Sequence, residues 1–122
     1  MRVFVASPWR AADAPSRDAN RERVLAACRE AALAGHAPFA PHLLCPQFLD
    51  DADPAERALG MRAGLAFLAA CEVVWVYGPV TAGVAAEIAE ARRLGLPVVF
   101  KGEPEKGASD GIPGAARPHA AA

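Results

Sequence analysis

The chain has 122 residues, with 13 Lys and Arg against 14 Asp and Glu. That length admits one domain with its own core and not two, and a formal net charge of -1 gives no basic excess to draw it onto a nucleic acid polymer. Hydrophobic residues reach 53%, much of it alanine, but no run approaches the roughly 18 apolar residues that a membrane span needs.

A first strand is expected at Arg2-Val3-Phe4-Val5-Ala6, a β-branched and aromatic run. It ends in the loop Ser7-Pro8-Trp9-Arg10, because proline cannot continue a central strand. The apolar stretch from Val3 to Ser7 is too short for a signal peptide, which leads to the expectation of a cytoplasmic protein. From about Asp18 to Leu33, Val24, Leu25, Cys28, Ala31 and Ala32 fall at helical spacing, and Gly35 supplies a left-handed stop. Ala37 to His42 reads as a weak second strand, limited by Pro38 and Pro41 to an edge or a short pairing. The loop Leu43 to Asp53 follows.

Asp53-Pro54-Ala55-Glu56 combines a capping residue, a proline suited to the first helical position and a glutamate that can reach back to the cap. The second helix therefore starts there and runs to about Ala70. Val73-Val74-Trp75-Val76-Tyr77 is apolar at both parities, as a parallel strand covered on both faces must be, and Gly78-Pro79 stops it. A third helix is expected from about Ala82 to Leu94, ended by Gly95, and a fourth strand at Leu96 to Phe100. Lys101 to Ala122 is rich in Gly, Pro, Ala and charge, with little to bury, so the domain is placed at 1–100 and the remainder is expected to be a disordered tail.

Strands alternating with helices imply an α/β domain: a three-layer, Rossmann-like or flavodoxin-like unit with a parallel sheet of four to five strands. Ligands of such folds bind beyond the carboxyl ends of the strands, here near Ser7, His42 and Gly78.

At 100° per residue, Val84, Ile88, Ala91 and Leu94 share one stripe of the third helix, and Glu87 falls inside it. Arg92, Arg93 and Glu90 occupy the other faces, so the helix had polar surface to spare. Two readings of Glu87 stand: it reaches solvent at the edge of a narrow stripe, or it is held there as a functional group. The helix start adds free backbone N–H groups, opened by Thr81 and Gly83, where a phosphate or sugar hydroxyl could sit.

Cys28, Cys45 and Cys71 form an odd set without CxxC spacing and read as reduced core residues. With His36 and His42 they match no zinc pattern, so no metal and no cofactor is expected. Trp75 and Phe39 read as core, and Trp9 as the aromatic residue placed to touch a ligand.

Cys71-Glu72-Val73-Val74-Trp75-Val76-Tyr77-Gly78, followed by Thr81-Ala82-Gly83-Val84-Ala85-Ala86-Glu87-Ile88, resembles the nucleoside 2-deoxyribosyltransferase-like superfamily. That group includes 2'-deoxynucleoside 5'-phosphate N-hydrolases and an uncharacterised short branch. The likeness covers roughly residues 2 to 100, and Ser7-Pro8-Trp9, Asn20, Ala40-Pro41-His42 and Gln47-Phe48-Leu49-Asp50-Asp51 look like the short branch in particular. It implies attack by Glu87 on C1' of a (deoxy)ribosyl substrate, giving a glycosyl ester that water or a second base resolves. Hydrolase and transferase differ in that acceptor. It also implies a homodimer or higher homo-oligomer.

The mechanism needs an acid for the departing base. Characterised members carry an aspartate at the point where this chain has Gly64 or its neighbours Arg62 and Ala63. Asp50 and Asp51 are the substitutes, with plain solvation or helix capping as the alternative for both. Thr81 stands six residues before Glu87, where transferases of the group often have a base-contacting aspartate and the monophosphate hydrolases a phosphate-contacting serine. The resemblance thus tilts the substrate toward a 5'-nucleotide. Arg10 and Ser7 would add a cation and a hydroxyl for its phosphate, an arginine without a partner being the alternative.

The site expected from sequence is therefore Glu87 with Asp50 and Asp51, surrounded by Ser7, Pro8, Trp9, Arg10, Asn20, His42, Gly78, Thr81 and Gly83, taking a small nucleoside or nucleotide. Two other classes stay open: a nucleotide-binding module that kept the pocket and lost the chemistry, and a structural or partner-binding unit with Glu87 outside any cleft.

Overall fold

The structure, a computed structural model, describes residues 1–105. Four strands, β1 (Arg2–Ala6), β2 (Ala37–Phe39), β3 (Val73–Tyr77) and β4 (Val98–Gly102), form one sheet in the order β2-β1-β3-β4. All three pairings are parallel, with Val3 opposite Val73 and Pro38, and Val74 opposite Val98. Three helices connect them: α1 (Ala14–Leu33), α2 (Pro54–Leu68) and α3 (Ala82–Arg93).

The alternation of the strands decides what each face packs against. Val3, Val5, Trp75 and Tyr77 point to the face covered by α1 through Val24, Ala27 and Ala31. Phe4, Ala6, Val74 and Val76 point to the opposite face, covered by Leu68 of α2 and by Val84, Ile88 and Ala91 of α3. Each valine, leucine, isoleucine or phenylalanine among them, once buried, contributes about 1.5–3 kcal/mol, and each alanine less. The result is the expected three-layer α/β architecture. β3 is buried along its whole length, and the one hydroxyl it takes into the core, on Tyr77, donates to Glu30 Oε1 at 2.6 Å.

The elements differ from the sequence expectation mainly at their ends. α1 starts four residues before Asp18, because Asp13 caps it by accepting the Ser16 N–H at 2.8 Å and Pro15 occupies the first turn. The apolar periodicity begins only after that turn, which hid the cap. β2 has three residues, not six: Pro41 opens a 3₁₀ turn (Pro41–Leu43), and a second turn (Cys45–Gln47) follows it. β4 is shifted two residues toward the C-terminus and takes in Lys101 and Gly102, which composition alone places in the tail. There the ammonium of Lys101 lies 4.1 Å from the centre of the Trp75 ring. The rest of the expected tail, from residue 106 on, lies outside the described residues.

Candidate active site

A cavity of about 230 Å³ opens at the carboxyl end of the sheet, between the loop after β1, the 3₁₀ turns, α2 and the start of α3. Each wall follows from local sequence. Pro8 ends β1, so the chain leaves the sheet with Ser7 still inside and Trp9 and Arg10 over the opening. Pro41 and Pro46 fold the next segment into tight turns that present His42 and Cys45. Thr81 caps α3 by accepting the Val84 N–H at 3.3 Å, which aims the first turn of the helix at the cavity. Nothing stands within 4 Å of where a Cβ on Gly83 would be, so a ligand can approach that backbone closely.

Glu87 lies one turn further along α3 and faces inward. Its Oε1 is buried without a hydrogen-bond partner, and so is Ser7 Oγ. Burial pushes the Glu87 carboxyl up to about 8, so in the free protein it holds its proton through neutral pH. The alternative in which Glu87 reaches solvent along the edge of the stripe is not the arrangement found.

His42 stacks on Trp9 with ring centres 5.3 Å apart and planes 7° from parallel. Burial pushes its imidazole down to about 4, against an opposing pull from the Asp51 carboxylate; it is a neutral donor and acceptor at pH 7. Arg10 reaches Asp51 at 3.5 Å across the cavity mouth.

Ser7, Trp9, Arg10, His42, Asp51, Thr81, Gly83 and Glu87 thus meet on one cavity. The other residues singled out from sequence lie behind or beside it. Asp50 is exposed: its Oδ1 accepts the Ala52 N–H at 3.0 Å and its own N–H donates to Glu56 Oε1 at 2.8 Å, so it forms the turn before α2. Asn20 donates to the Trp9 carbonyl at 3.1 Å and accepts from Arg23 at 3.2 Å, holding the Trp9 loop from outside. Pro8 is buried beneath that loop. Gly78 has φ 72 and carries the Arg23 side chain so closely that a Cβ would sit 3.1 Å from it, so its role is in the turn.

Several cavity residues were missed, with Glu56 and Arg57 the charged ones among them. Arg57 lines the wall together with Gly60, Met61 and Gly64, positions at helical spacing on one face of α2. A stripe bearing two glycines and an arginine, where a core stripe would be aliphatic, was the available signal. Gly64 itself is informative. A Cβ there would lie 3.3 Å from Pro41 Cβ and Cγ, so an aspartate would crowd the turn and Pro41 would have to give way by a few tenths of an ångström to admit it.

Residues 1–101 match a family model described as a domain of unknown function (DUF7768). The chain belongs to that family. No curated protein matches it. Among solved structures it is similar to a 2-deoxyribosyltransferase from the psychrotolerant bacterium Bacillus psychrosaccharolyticus, with a TM-score of 0.67 at 17% identity over 84% of this chain and 72% of the other. At that identity the likeness is one of fold: this DUF7768 chain has the layered α/β architecture of a deoxyribosyltransferase.

Proposed function

We propose that the protein cleaves, or exchanges, the N-glycosidic bond of a (deoxy)nucleoside 5'-monophosphate or nucleoside, with Glu87 as nucleophile. The observation that carries this reading is that Glu87 Oε1 and Ser7 Oγ, two buried polar atoms without partners, border one cavity. Buried polar groups are ordinarily satisfied, and a sugar ring with its hydroxyls supplies what both lack. That the similar fold belongs to an enzyme characterised as a 2-deoxyribosyltransferase and biocatalyst for nucleoside synthesis agrees with this.

In the proposed reaction an ionised Glu87 oxygen forms a bond to C1' while the C1'–N bond breaks and its electron pair leaves with the base. Water or a second base then attacks C1' and releases the carboxylate. Asp51, Glu56 and His42 are wall groups that can exchange a proton with the departing base. Thr81, Gly83 and the first turn of α3 would hold a 5'-phosphate, aided by Arg10 or Arg57.

The test is release of free base from a panel of deoxynucleoside and ribonucleoside monophosphates, followed by chromatography. Glu87→Gln should lower the rate by about 10³-fold or more. Equal release by wild type and variant sinks the proposal.

The packing of Pro41 on Gly64 favours a second reading, a nucleotide-binding module without turnover. Nucleotide binding with no base released by the wild type would establish it.

A further inference from the structure

Beside the cavity lies a second cleft of about 380 Å³, and the two share Trp9, Arg10 and Asp51 as a common wall. The far side of the second cleft is formed by Arg17, Asp18 and Arg21 of α1. Arg17 donates from Nη1 to the carbonyls of Ala11 and Ala12 at 3.2 and 3.1 Å, so its guanidinium is tied in place by neutral groups. Among the described residues neither Arg17 nor Arg21 forms an ion pair. Each has an opposite charge at helical spacing: together with the Ser16 N–H, Arg17 helps hold the Asp13 carboxyl below its ordinary range, and Asp18 stands three residues before Arg21. Such exposed pairs are weak, and with Arg10 the cleft carries three guanidiniums against the two carboxylates of Asp18 and Asp51, a balance that suits an anionic ligand.

We infer that this cleft is a subsite for a further phosphate of the same ligand, so that the preferred substrate class is a nucleoside 5'-diphosphate or an ester of one. The inference rests on the proposed nucleotide reading of the cavity and extends it. Sugar and base occupy the cavity beside Glu87, and the chain of phosphates passes over the Arg10–Asp51 pair toward Arg17 and Arg21. Arg10 stands on both walls and so can turn from Asp51 to the bridging phosphate, while Arg21 offers a planar fork to the terminal one.

The experiment is calorimetric titration of the full chain with 5'-mono- and 5'-diphosphates of the four common deoxynucleosides and with inorganic pyrophosphate. The wild type should bind at least one diphosphate about tenfold tighter than its monophosphate. In Arg17→Gln/Arg21→Gln that ratio should fall to about one with monophosphate affinity kept, and pyrophosphate binding should weaken about tenfold. Arg21→Gln alone, which disturbs no hydrogen bond to the backbone, should give most of the effect and guards against a misplaced loop. A ratio that is the same in wild type and both variants, or pyrophosphate binding unchanged by them, overturns the inference. Base release is read in the same samples: its absence alongside an arginine-dependent diphosphate preference counts against the Glu87 chemistry and leaves the subsite standing.

Discussion

A carboxyl group taken out of water without a partner costs stability in proportion to the charge it must carry, and Glu87 is such a group. Its pKa of about 8 in the folded chain against 4.5 for an ordinary glutamate fixes two signs. For catalysis, the nucleophile must be ionised, so kcat/KM should rise with pH until about 8 and then level, because that ratio reports the free protein. A profile falling through the same point would instead make Glu87 the acid. For stability, the folded state binds a proton that the unfolded state has lost, so above pH 4.5 stability declines as pH rises and the loss is complete near 8. Glu87→Gln, neutral and nearly isosteric, should therefore be more stable than wild type at pH 8 by on the order of 2–4 kcal/mol. That is a melting point higher by roughly 10 °C or more, and the difference should vanish near pH 4.5.

At the level of elements, the site depends on how α3 begins and on how α2 meets the turn at Pro41. Thr81→Ala removes the cap that accepts the Val84 N–H and should cost about 1 kcal/mol in chemical denaturation, while Thr81→Ser keeps most of it. If Thr81 also touches a 5'-phosphate, the alanine variant should lose affinity for monophosphates and not for nucleosides. Gly64→Asp, which puts back an acid at the position where one was expected, should fail as a repair. Its Cβ would press on Pro41 at 3.3 Å, so a stability loss of about 1–3 kcal/mol without a gain in base release is the expected outcome. These two positions also show what could be read beforehand. Thr81 and Glu87 were legible because capping chemistry and the 100° spacing are local properties of one helix. The fit of Gly64 against Pro41 was not, because it depends on a 3₁₀ turn whose path no periodicity encodes, whereas Arg57 did leave a signal in the glycine-bearing stripe of α2. The start of α1 was missed differently: Asp13 caps a turn that carries no large apolar residue to announce it.

For the whole molecule, the order of strands and helices was legible because β3 is apolar on both faces and each helix buries one stripe, both of which leave a pattern in sequence. What the pattern could not contain is the burial of Glu87 and His42, from elements far apart in the chain, at one cavity, and these two burials shape the response of the fold to pH. His42 is pushed from 6.5 down to about 4 by burial, so the unfolded chain takes up a proton that the folded chain refuses. Stability is lost as pH falls from 6.5 to about 4. Glu87 acts in the opposite sense, losing stability as pH rises from 4.5 to about 8. Each slope is about 1.4 kcal/mol per pH unit at full effect, and between roughly 4.5 and 6.5 the two cancel. Urea titrations of the wild type across that range should give a nearly flat free energy, followed by a decline toward pH 8. In Glu87→Gln the plateau should tilt so that stability rises with pH, and in His42→Gln it should tilt the other way. A wild-type plateau that neither substitution tilts would mean that the two groups are not held in the protonation states their burial imposes, and the cavity would be wetter than its walls imply.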